Sequence, residues 1–517
     1  MLTTVNAPLY RSTSALAART GLVWAAWPAD MTTPVRAYLA LRSRGRRACL
    51  LESVEGPARL ARYSFLGVDP TASFRGRANA SSVRDEHGER QLRGSTIEAL
   101  RGLQRPLGAA LPPELPPFVG GWIGWFAYEW SCELEPSVNR AARDIWNVPS
   151  ASFELFDNVV AFDHAAQKLF VFTRGDQPSF HRAMERIEAI AADALAEVPA
   201  AGGEFRLLGE MRSSLGASEF ESGVARLREA IAAGEIFQAV LSQRFEQRFR
   251  GDPFTLYRAL RLVNPSPHMF FFESDGLTLV GSSPERLVSV RGRRAENRPI
   301  AGTRPRGDDA AEDELLAAEL RGDPKERAEH DMLVDLARND LGRIARTGTV
   351  KVREHAVLER FARVQHLVSR VECDLAATAD ALDVLAACFP AGTVSGAPKV
   401  RAMQLLAEIE RDTRGPYSGA FGYLDSHGNL DMALVIRSFA VQGDSVSVQA
   451  GAGIVFDSDP VREREETLHK ARALFDAAGT ADSDAFRKPR EAHVAAEGAA
   501  ASGTAGTAGA AAARRHA

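Results

Sequence analysis

The chain has 517 residues, of which 45% are hydrophobic and 25% are charged, and its formal net charge is −4. This length allows one large domain or two to three smaller ones, and the composition is ordinary for a soluble globular protein. The small net charge gives no electrostatic reason to expect a nucleic acid or a membrane surface as partner, and no segment approaches the roughly twenty apolar residues of a membrane span.

The N-terminus and the cysteines favour a cytoplasmic protein. Arg11 and Arg19 interrupt the apolar residues of 1–30, so this segment is interpreted as an N-terminal extension and not as a secretory signal. Free thiols in a reducing compartment are the simplest account of four cysteines without a CxxC pair or a zinc-like spacing. They are Cys49, Cys132, Cys373 and Cys388.

Residues 31–205 are predicted to contain mainly short strands and turns. Apolar runs separated by Gly and Pro clusters predict strands at 47–54, 62–68, 159–164 and 168–173. The glycine-rich aromatic stretch 116–130 is interpreted as buried strand or turn, where glycine lets backbones approach. Helical periodicity predicts a helix at 179–198, and residues 199–205 are predicted to be a linker.

Residues 218–478 alternate predicted helices and strands, which favours an α+β class over an all-α one. The first helix is predicted to begin near Ser218, with Glu221 completing a capping box. The main domain boundary is therefore placed at 200–217. The tail 491–517 contains almost no large apolar residues and is predicted to be disordered.

Two pairs of acidic residues have helical spacing. Glu326 and Glu329 are three residues apart, as are Glu463 and Glu466, so each pair is expected on one face of a helix. Such pairs are usually solvated surface, and Lys470 follows Glu466 at the spacing of a weak surface ion pair. Each pair alone indicates a surface more often than a site.

Other features of this region could carry chemistry, and each also has an ordinary explanation. Gly451 and Gly453 are predicted to leave backbone N–H groups free at a strand end, as in an anion cradle, or to allow tight strand packing. Arg437, in an apolar strand, suits a carboxylate if it is buried or solvent if the strand is at an edge. The loop 389–399 mixes glycines with hydroxyls, and a lone His366 is more often structural than catalytic.

Together these residues are compatible with a small substrate that carries two carboxylates. Acidic side chains bind a hard divalent cation, usually Mg²⁺, which can hold one substrate carboxylate. An arginine and backbone amides can hold the second carboxylate. The residues alone indicate this class of substrate and no particular reaction.

Motifs in order along the chain resemble the chorismate-utilising enzymes, and most closely the anthranilate synthase large subunits (component I). They are GEIFQAVLSQRF, NPSPHMFFF, VGSSPERLV, RPIAGTRPRG, KERAEHDMLVDLARNDLGR, FPAGTVSGAPKVRAMQLLAEIE, RGPYSGAFGY, VQAGAGIVFDSDP and EREETLHKARAL. The resemblance runs from about residue 35 to residue 478. It implies an α+β fold of large antiparallel sheets flanked by helices, with a tryptophan-binding region at 31–205 and a chorismate-binding catalytic region at 218–478.

The resemblance implies that the two acidic helix faces meet at one Mg²⁺. Glu329 and Glu466 resemble the direct ligands of the metal, and Glu463 resembles a neighbour that binds it through water. Glu326 is the candidate acid that protonates the leaving C4 hydroxyl, kept protonated by neighbouring negative charge. Lys470 is expected beside the substrate.

The same resemblance assigns roles around the substrate. Tyr417 and Arg437 resemble the residues that hold the enolpyruvyl carboxylate, together with amides of Gly451, Ala452 and Gly453. Thr303 resembles a contact to the ring, and His366 resembles a residue that assists pyruvate elimination.

The implied reaction converts chorismate and ammonia to anthranilate and pyruvate, which is the first committed step of tryptophan biosynthesis. Aminodeoxychorismate synthases commonly carry a nucleophilic lysine where this chain has Ala301. Isochorismate and salicylate synthases typically carry a lysine that activates water where this chain has Gln238. Neither lysine is present, so ammonia, which is already a nucleophile when neutral, is the expected reactant.

Regulation by tryptophan is also implied. The motif LLESVEG at 50–56 resembles the segment where tryptophan binds and inhibits, with Glu52 and Ser53 at its amino group. The motif NPSPHMF would line the other side through Pro265, His268 and Met269. His268 departs from the family pattern, in which tyrosine is common at this position.

The chain is expected to work with a glutamine amidotransferase subunit (component II) or with free ammonia, because no cysteine lies in a glutaminase-type nucleophile turn. The family forms heterodimers or heterotetramers. Three alternatives stay open. An aminodeoxychorismate synthase component I would carry lysine at 301, and a non-catalytic tryptophan-binding subunit would lack an acidic ligand or Arg437. A phenazine-pathway enzyme that keeps the pyruvate would have an impaired elimination step, against which His366 argues.

Overall fold

A computed structural model describes residues 8–54, 62–108, 111–198, 203–361, 364–483 and 486. The strands within these residues are β1 Tyr10–Arg11, β2 Leu22–Pro28, β3 Ala48–Glu52, β4 Tyr63–Val68, β5 Ala72–Gly76, β6 Ser81–Asp85, β7 Gly88–Leu92, β8 Gly121–Phe126, β9 Ala151–Phe156, β10 Asn158–Asp163, β11 Lys168–Arg174, β12 Phe205–Ser213, β13 Gln238–Gly251, β14 His268–Ser274, β15 Leu277–Ser283, β16 Arg286–Arg291, β17 Arg294–Asn297, β18 Ile300–Pro305, β19 Lys351–Arg360, β20 Val364–Asp374, β21 Gly396–Ala397, β22 Ala420–Asp425, β23 Leu430–Leu434, β24 Ser438–Gln442 and β25 Ser445–Ile454.

The helices connect and cover these strands. They are α1 Ser14–Thr20, α2 Pro34–Ser43, α3 Thr96–Gly102, α4 Ser131–Leu134, α5 Phe180–Ala194, α6 Ala217–Ala232, α7 Pro253–Val263, α8 Ala310–Gly322, α9 Pro324–Gly342, α10 Ala381–Cys388, α11 Lys399–Glu410 and α12 Pro460–Asp482, with short 3-10 turns at Tyr128–Trp130 and Gly392–Val394. Within the described part of the chain, no helix combines the length and the apolar character needed to cross a membrane.

The strands form two large antiparallel sheets. The order in the first is β1-β2-β11-β10-β4-β3-β14-β15-β24-β25-β13-β12, with β21 beside β13. The order in the second is β18-β20-β17-β16-β23-β22-β8-β9-β5-β6-β7, with β19 beside β20. Because each sheet takes strands from both halves of the sequence, the regions 31–205 and 218–478 are interleaved in space. The predicted α+β fold of large antiparallel sheets is confirmed.

The two sheets face each other across an aromatic layer, and helices cover their outer faces. Phe270 of β14 stacks on Phe421 of β22 across this layer, with ring centroids 4.1 Å apart. Helices α2, α5, α7 and α12 pack on the first sheet, and α9 and α10 pack on the second. The buried apolar area of these layers provides the main stabilisation.

The segment 200–217, where the sequence places the domain boundary, contains the nine-residue strand β12, and the boundary stays a prediction. Residues 10–28 contribute β1, α1 and β2 to the first sheet and so belong to its fold. The tail 491–517 lies outside the described residues.

The predicted capping box of α6 is wrong. The helix begins at Ala217, and the Glu219 carboxylate accepts a hydrogen bond from the N–H of Gly216 at 2.9 Å. Glu221 instead forms an ion pair with Arg464 of α12 at 3.0 Å. The cap therefore lies two residues earlier than the sequence pattern indicated.

Candidate active site

Two helix starts present the acidic pairs. Helix α9 begins at Pro324 after Asp323, whose carboxylate accepts from the N–H groups of Lys325 and Glu326. Helix α12 begins in the same way, at Pro460 after a capping aspartate. Proline suits the first helical position, and the helix dipole favours negative charge near it. The sequence therefore fixes both acidic faces at helix N-termini.

The acids of the two helices lie close enough to act on one another. Burial raises the pKa of Glu329, and the nearby charges of Glu326 and Glu466 raise it further. Burial also raises the pKa of Glu463, to which Glu466 contributes. Glu463 Oε2 is buried without a hydrogen-bond partner. Like charges and an unpartnered oxygen are what a cation would stabilise.

The acids nevertheless do not form a closed metal cage. Within the described ranges, no group of three or more Asp, Glu, His or Cys side chains is arranged to hold a metal ion. The ammonium of Lys470 lies 2.6 Å from Glu466 Oε1. The donors suit Mg²⁺ in chemistry and charge, and Lys470 is the cation that neutralises one of them in this structure.

An open row of backbone amides lies beside Lys470. In the β13–β25 ladder, Val240 is opposite Gly453 and Ser242 is opposite Gly451. The N–H of Val240 donates to Ser395 and that of Ser242 to Glu410, so both point away from β25. In an antiparallel ladder, the N–H groups of two opposite residues both point towards the partner strand or both point away from it. The N–H groups of Gly451 and Gly453 therefore point away from β13, towards the other edge of β25.

That edge is open because β24 pairs with β25 only as far as Val448. The two glycines lie within the last four residues of β25, and the missing neighbour strand is what leaves their N–H groups free. Lys470 donates to the carbonyl of Gly451 at 3.0 Å across this edge. The open amide row therefore consists of the N–H groups of Gly451 and Gly453 and borders the acidic helix α12, whereas the N–H of Ala452 faces β13.

Arg437 and Tyr417 close the pocket around this row. Arg437 lies between β23 and β24 with φ +51°, and is therefore not inside a strand as predicted. Its guanidinium donates to the carbonyl of Lys470 at 2.6 Å, and burial lowers its pKa. The Tyr417 hydroxyl lies 3.0 Å from the place where a Cβ on Gly451 would be. We call Tyr417, Arg437 and Gly451–Gly453 the carboxylate pocket.

Gln238 lies at the start of β13 and is buried. Its amide nitrogen is 2.7 Å from the place where a Cβ on Gly453 would be. Any side chain at position 453 would collide with it. The structure therefore brings Gln238 against the open amide row.

Thr303 and His366 face each other on adjacent strands. They are register partners in the pairing of β18 with β20, and Thr303 Oγ1 lies 3.1 Å from His366 Nδ1. The same nitrogen lies 2.9 Å from the carbonyl of Gly302. Because a carbonyl only accepts, Nδ1 carries the proton and Nε2 is left as the basic nitrogen.

Glu326 reaches this strand pair from α9. Its Oε2 is 3.0 Å from the place where a Cβ on Gly302 would be, and Gly302 has φ +68°, which favours glycine. Arg304 donates to Glu326 Oε1 at 3.2 Å. Arg304 thus holds Glu326 beside this strand pair, and the use of Glu326 as a proton donor stays a prediction.

The sequence analysis missed Glu285. Burial raises the pKa of this carboxyl to about 7, and Thr393 Oγ1 donates to it at 2.8 Å. The charge of Lys470 acts on it in the opposite direction. The available signal was an acid that follows the apolar strand β15 in VGSSPERLV, together with the hydroxyls of the loop 389–399. A half-buried carboxyl that titrates near neutrality can donate a proton.

A second cavity of about 160 Å³ lies between the sheets. We call it the inter-sheet cavity. Its lining includes Glu52, Ser53, Pro267, His268, Met269, Arg286, Tyr423 and Asp431. Pro265 is not part of the lining; Pro267 occupies that side. Ser53 Oγ is buried without a hydrogen-bond partner, so this cavity has a free polar atom for a ligand.

The charges of the inter-sheet cavity are already paired. Arg261 Nε donates to Glu52 at 3.0 Å, and the Tyr257 hydroxyl donates to the same carboxylate. Arg286 pairs with Asp431 at 2.9 Å. Burial and the neighbouring Arg286 lower the pKa of His268 to about 4, so its ring is neutral at physiological pH.

Comparisons with known proteins agree on one family. A model of the chorismate binding enzymes matches residues 46–476. Anthranilate synthase component 1 of Synechocystis sp. is 42% identical over 88% of this chain and 95% of its own length. Anthranilate synthase component 1 of Thermus thermophilus is 44% identical over 88% of this chain and 97% of its own length. The solved structure of anthranilate synthase component I from Streptococcus pneumoniae is 34% identical, covers 80% of this chain and 92% of its own, and superposes with a TM-score of 0.73.

Proposed function

The chain belongs to the family of chorismate binding enzymes, and from this premise we propose that it is the large subunit of an anthranilate synthase. It converts chorismate and ammonia to anthranilate and pyruvate. The proposal rests on one observation. An open amide row and Arg437 lie close to acidic residues at the N-termini of α9 and α12. Such a pocket suits a small substrate with two carboxylates, one on each side.

The carboxylate pocket is proposed to hold the enolpyruvyl group. Arg437 and the amides of Gly451 and Gly453 bind the carboxylate. The two glycine N–H groups lack an acceptor on the open edge, and Arg437 has N–H groups besides the one that donates to the carbonyl of Lys470. The Tyr417 hydroxyl adds one further donor, and burial keeps it protonated by raising its pKa. Lys470 lies between this pocket and the acids and contributes positive charge to both substrate carboxylates.

The residues on α9 and α12 fit Mg²⁺ through their carboxylate donors and through the unpartnered oxygen of Glu463. Glu329 and Glu466 would hold the ion, with Glu463 beside them. Mg²⁺ bound there would supply positive charge for the ring carboxylate and so withdraw electrons from the conjugated diene. Lys470 would then release Glu466 and turn its ammonium towards the substrate.

The reaction needs a proton at the leaving oxygen. As the C2–N bond forms, the C4–O bond breaks, and hydroxide leaves as water if a carboxyl group protonates it. Glu285 supports this role through its raised pKa and its contact with Thr393. Glu326, paired with Arg304, is the alternative donor.

The second half of the reaction removes the proton at C2 and breaks the C3–O bond, which releases pyruvate and leaves an aromatic ring. His366 Nε2 is the proposed base, because its other nitrogen donates to Gly302 and fixes the orientation of the ring. Thr303 is exposed beside it and contacts the ring of the substrate. Aromaticity supplies the driving force, so orientation is the main task of the protein.

The nature of positions 238 and 301 supports ammonia as the nucleophile. Gln238 lies against the amide row and cannot act as a base towards water. Ala301 is buried in β18 and cannot attack the ring. These residues argue against the isochorismate and aminodeoxychorismate alternatives.

Two further parts of the proposal concern the source of ammonia and the inhibition of the enzyme. Ammonia comes from a glutamine amidotransferase subunit, in a heterodimer or heterotetramer, and the four reduced cysteines fit the cytoplasm. Tryptophan inhibits from the inter-sheet cavity. Its aromatic lining suits an indole ring, and Glu52 and the free hydroxyl of Ser53 suit an ammonium group.

A product assay tests the proposal. The purified chain is mixed with chorismate, Mg²⁺ and an ammonium salt at mildly alkaline pH, and anthranilate fluorescence and pyruvate are followed together. We expect equal amounts of both products and loss of both in EDTA. An aminated product that retains the pyruvate, or no amination, would contradict the proposal.

A further inference from the structure

Arg414 is the buried first residue of the motif RGPYSGAFGY, to which the sequence assigned no role, and it lies next to the carboxylate pocket without belonging to it. Only 1% of its side chain is exposed. Glu410, four residues earlier, accepts from its Nε at 2.8 Å and from Nη2 at 2.6 Å. A buried guanidinium is stable only when it is paired and when its remaining N–H groups are bonded.

The remaining N–H groups of Arg414 reach three other segments. Nη2 donates to the carbonyl of Val240 at 2.7 Å. Nη1 donates to the carbonyl of Val394 at 2.7 Å and to the hydroxyl of Ser418 at 3.3 Å. One side chain thus joins β13, the loop before α11 and the residue after Tyr417.

These segments touch the pocket or the candidate acid beside it. Val240 lies opposite Gly453, and its Cγ1 is 2.9 Å from the place where a Cβ on Gly451 would be. Val394 follows Thr393, which donates to Glu285. The Glu410 carboxylate also accepts from the N–H of Ser242 on β13, which lies opposite Gly451 of the open amide row.

The plane of the guanidinium is fixed as well. Its carbon lies 4.5 Å from the ring centroid of Tyr128 and 5.8 Å from that of Tyr417. The backbone N–H groups of Arg414 and Gly415 donate to the buried carboxylate of Glu129 at 2.6 and 3.0 Å. Both the side chain and the backbone of Arg414 therefore have a single orientation.

We propose that Arg414, held by Glu410, is a positioning residue for chorismate: it sets the places of Tyr417 and of the Gly451–Gly453 amides relative to each other. The inference rests on the proposed function of the carboxylate pocket. Arg414 does not touch the substrate. It acts on binding, because the groups it positions hold the carboxylate that does not react.

The test uses Arg414→Lys in the full chain, with ammonium as the nitrogen source. Lysine keeps the charge and one bond to Glu410 but loses the planar set of donors. Because a misplacement of about 1 Å in a binding group has large effects, we expect the KM for chorismate to rise about tenfold and kcat to change less than about threefold. The control is Arg46→Lys, since Arg46 is likewise held by carboxylates, those of Asp69 and Asp193, and its ion-pair partners include no residue of the pocket.

A double-mutant cycle with Tyr417→Phe separates positioning from general stability. If Arg414 acts partly through Tyr417, the rise in KM caused by Arg414→Lys is smaller in the Tyr417→Phe background. Fully additive effects would overturn the proposal. So would an unchanged KM with kcat reduced in proportion to the folded fraction, measured by circular dichroism and thermal unfolding.

A second variant keeps the proposal testable if Arg414→Lys does not fold. Glu410→Gln retains an oxygen for Ser242 and weakens the hold on Arg414, and it must raise the KM in the same direction. The wild-type assay reports separately on the proposed function. If the wild type forms no anthranilate, chorismate binding is measured by calorimetry, and equal affinities of wild type and both variants would overturn the positioning role.

Discussion

The carboxylate pocket with its acidic helices and the inter-sheet cavity differ in how their charges are paired. In the cavity, Glu52 is bonded by Arg261 and Tyr257, and Asp431 by Arg286. At the acidic helices, Glu466 pairs with Lys470 and Glu326 with Arg304. The pKa of Glu329 is nevertheless raised by burial and by its acidic neighbours, and Glu463 Oε2 is buried without a partner. Paired charges stabilise the folded chain, whereas unpaired ones are stabilised by a ligand. The difference predicts opposite effects of substitution in the two regions.

The largest expected effect is on turnover in the active site. Glu285→Gln keeps an acceptor for Thr393 but cannot donate the proton, so we expect kcat to fall about 10³-fold, within the usual range for general acids. Thermal unfolding should be unchanged or slightly improved. A kcat within about threefold of wild type would assign the acid role to Glu326 instead.

The pH dependence of kcat tests the same proton-donor role of Glu285. The raised pKa of Glu285, about 7, means that the donor is protonated below that value and ionised above it. At a constant concentration of neutral ammonia, kcat should therefore decline as the pH rises through about 7 and beyond. A profile that stays flat from pH 6 to pH 9 would contradict a carboxyl donor at this position.

In the inter-sheet cavity the large effect should be on stability. Arg261→Met leaves the buried Glu52 without its cation, and we expect a loss of about 2 kcal/mol in the free energy of unfolding, less than for a fully buried pair because Arg261 is partly exposed. Denaturant unfolding measures it. The double variant with Glu52→Gln should regain part of the loss, and a further loss would show that the pair is not the cause.

A smaller effect is expected from the departure at position 268. His268→Tyr restores the residue common in the family, and one added hydrogen bond is worth about fivefold in affinity. We expect stronger inhibition by tryptophan with kcat/KM for chorismate unchanged. Inhibition weaker than in the wild type would show that the neutral imidazole already suits the ligand.

The smallest effect should be a gain in stability at the acidic helices. Glu329→Gln removes one of several like charges, and in EDTA we expect the free energy of unfolding to rise by about 0.5 kcal/mol. Activity with Mg²⁺ should fall sharply at the same time. A clear loss of stability in EDTA would mean that the acids are paired in the folded chain, as in the inter-sheet cavity.

Local signals in the sequence predicted much of this arrangement. Periodicity and turn residues gave the strands at 62–68 and 168–173 and the helix at 179–198, and helical spacing gave both acidic faces. The sheet order was not predictable, because β13 pairs with β25 about two hundred residues away and no local pattern encodes such a partner. The resemblance to a family supplied what local patterns could not.

Features that depend on long-range pairing were left open or were wrong for the same reason. Free amides at Gly451 and Gly453 were predicted only as one of two alternatives, because the sequence of β25 does not reveal that β24 ends its pairing at Val448. Arg437 looked like a strand residue because its neighbours are apolar, yet it lies at a left-handed turn between strands. Glu285 was passed over because its pKa depends on burial in the assembled fold.

The most direct test of the central claim is where chorismate binds. Calorimetric titration without ammonia, in the presence of Mg²⁺, compares wild type with Arg437→Met in the carboxylate pocket and Ser53→Ala in the inter-sheet cavity. The account predicts that Arg437→Met weakens binding about thirtyfold or more, because it removes a charged bidentate donor, and that Ser53→Ala leaves it unchanged. Unchanged affinity in Arg437→Met, or a loss confined to Ser53→Ala, would contradict it.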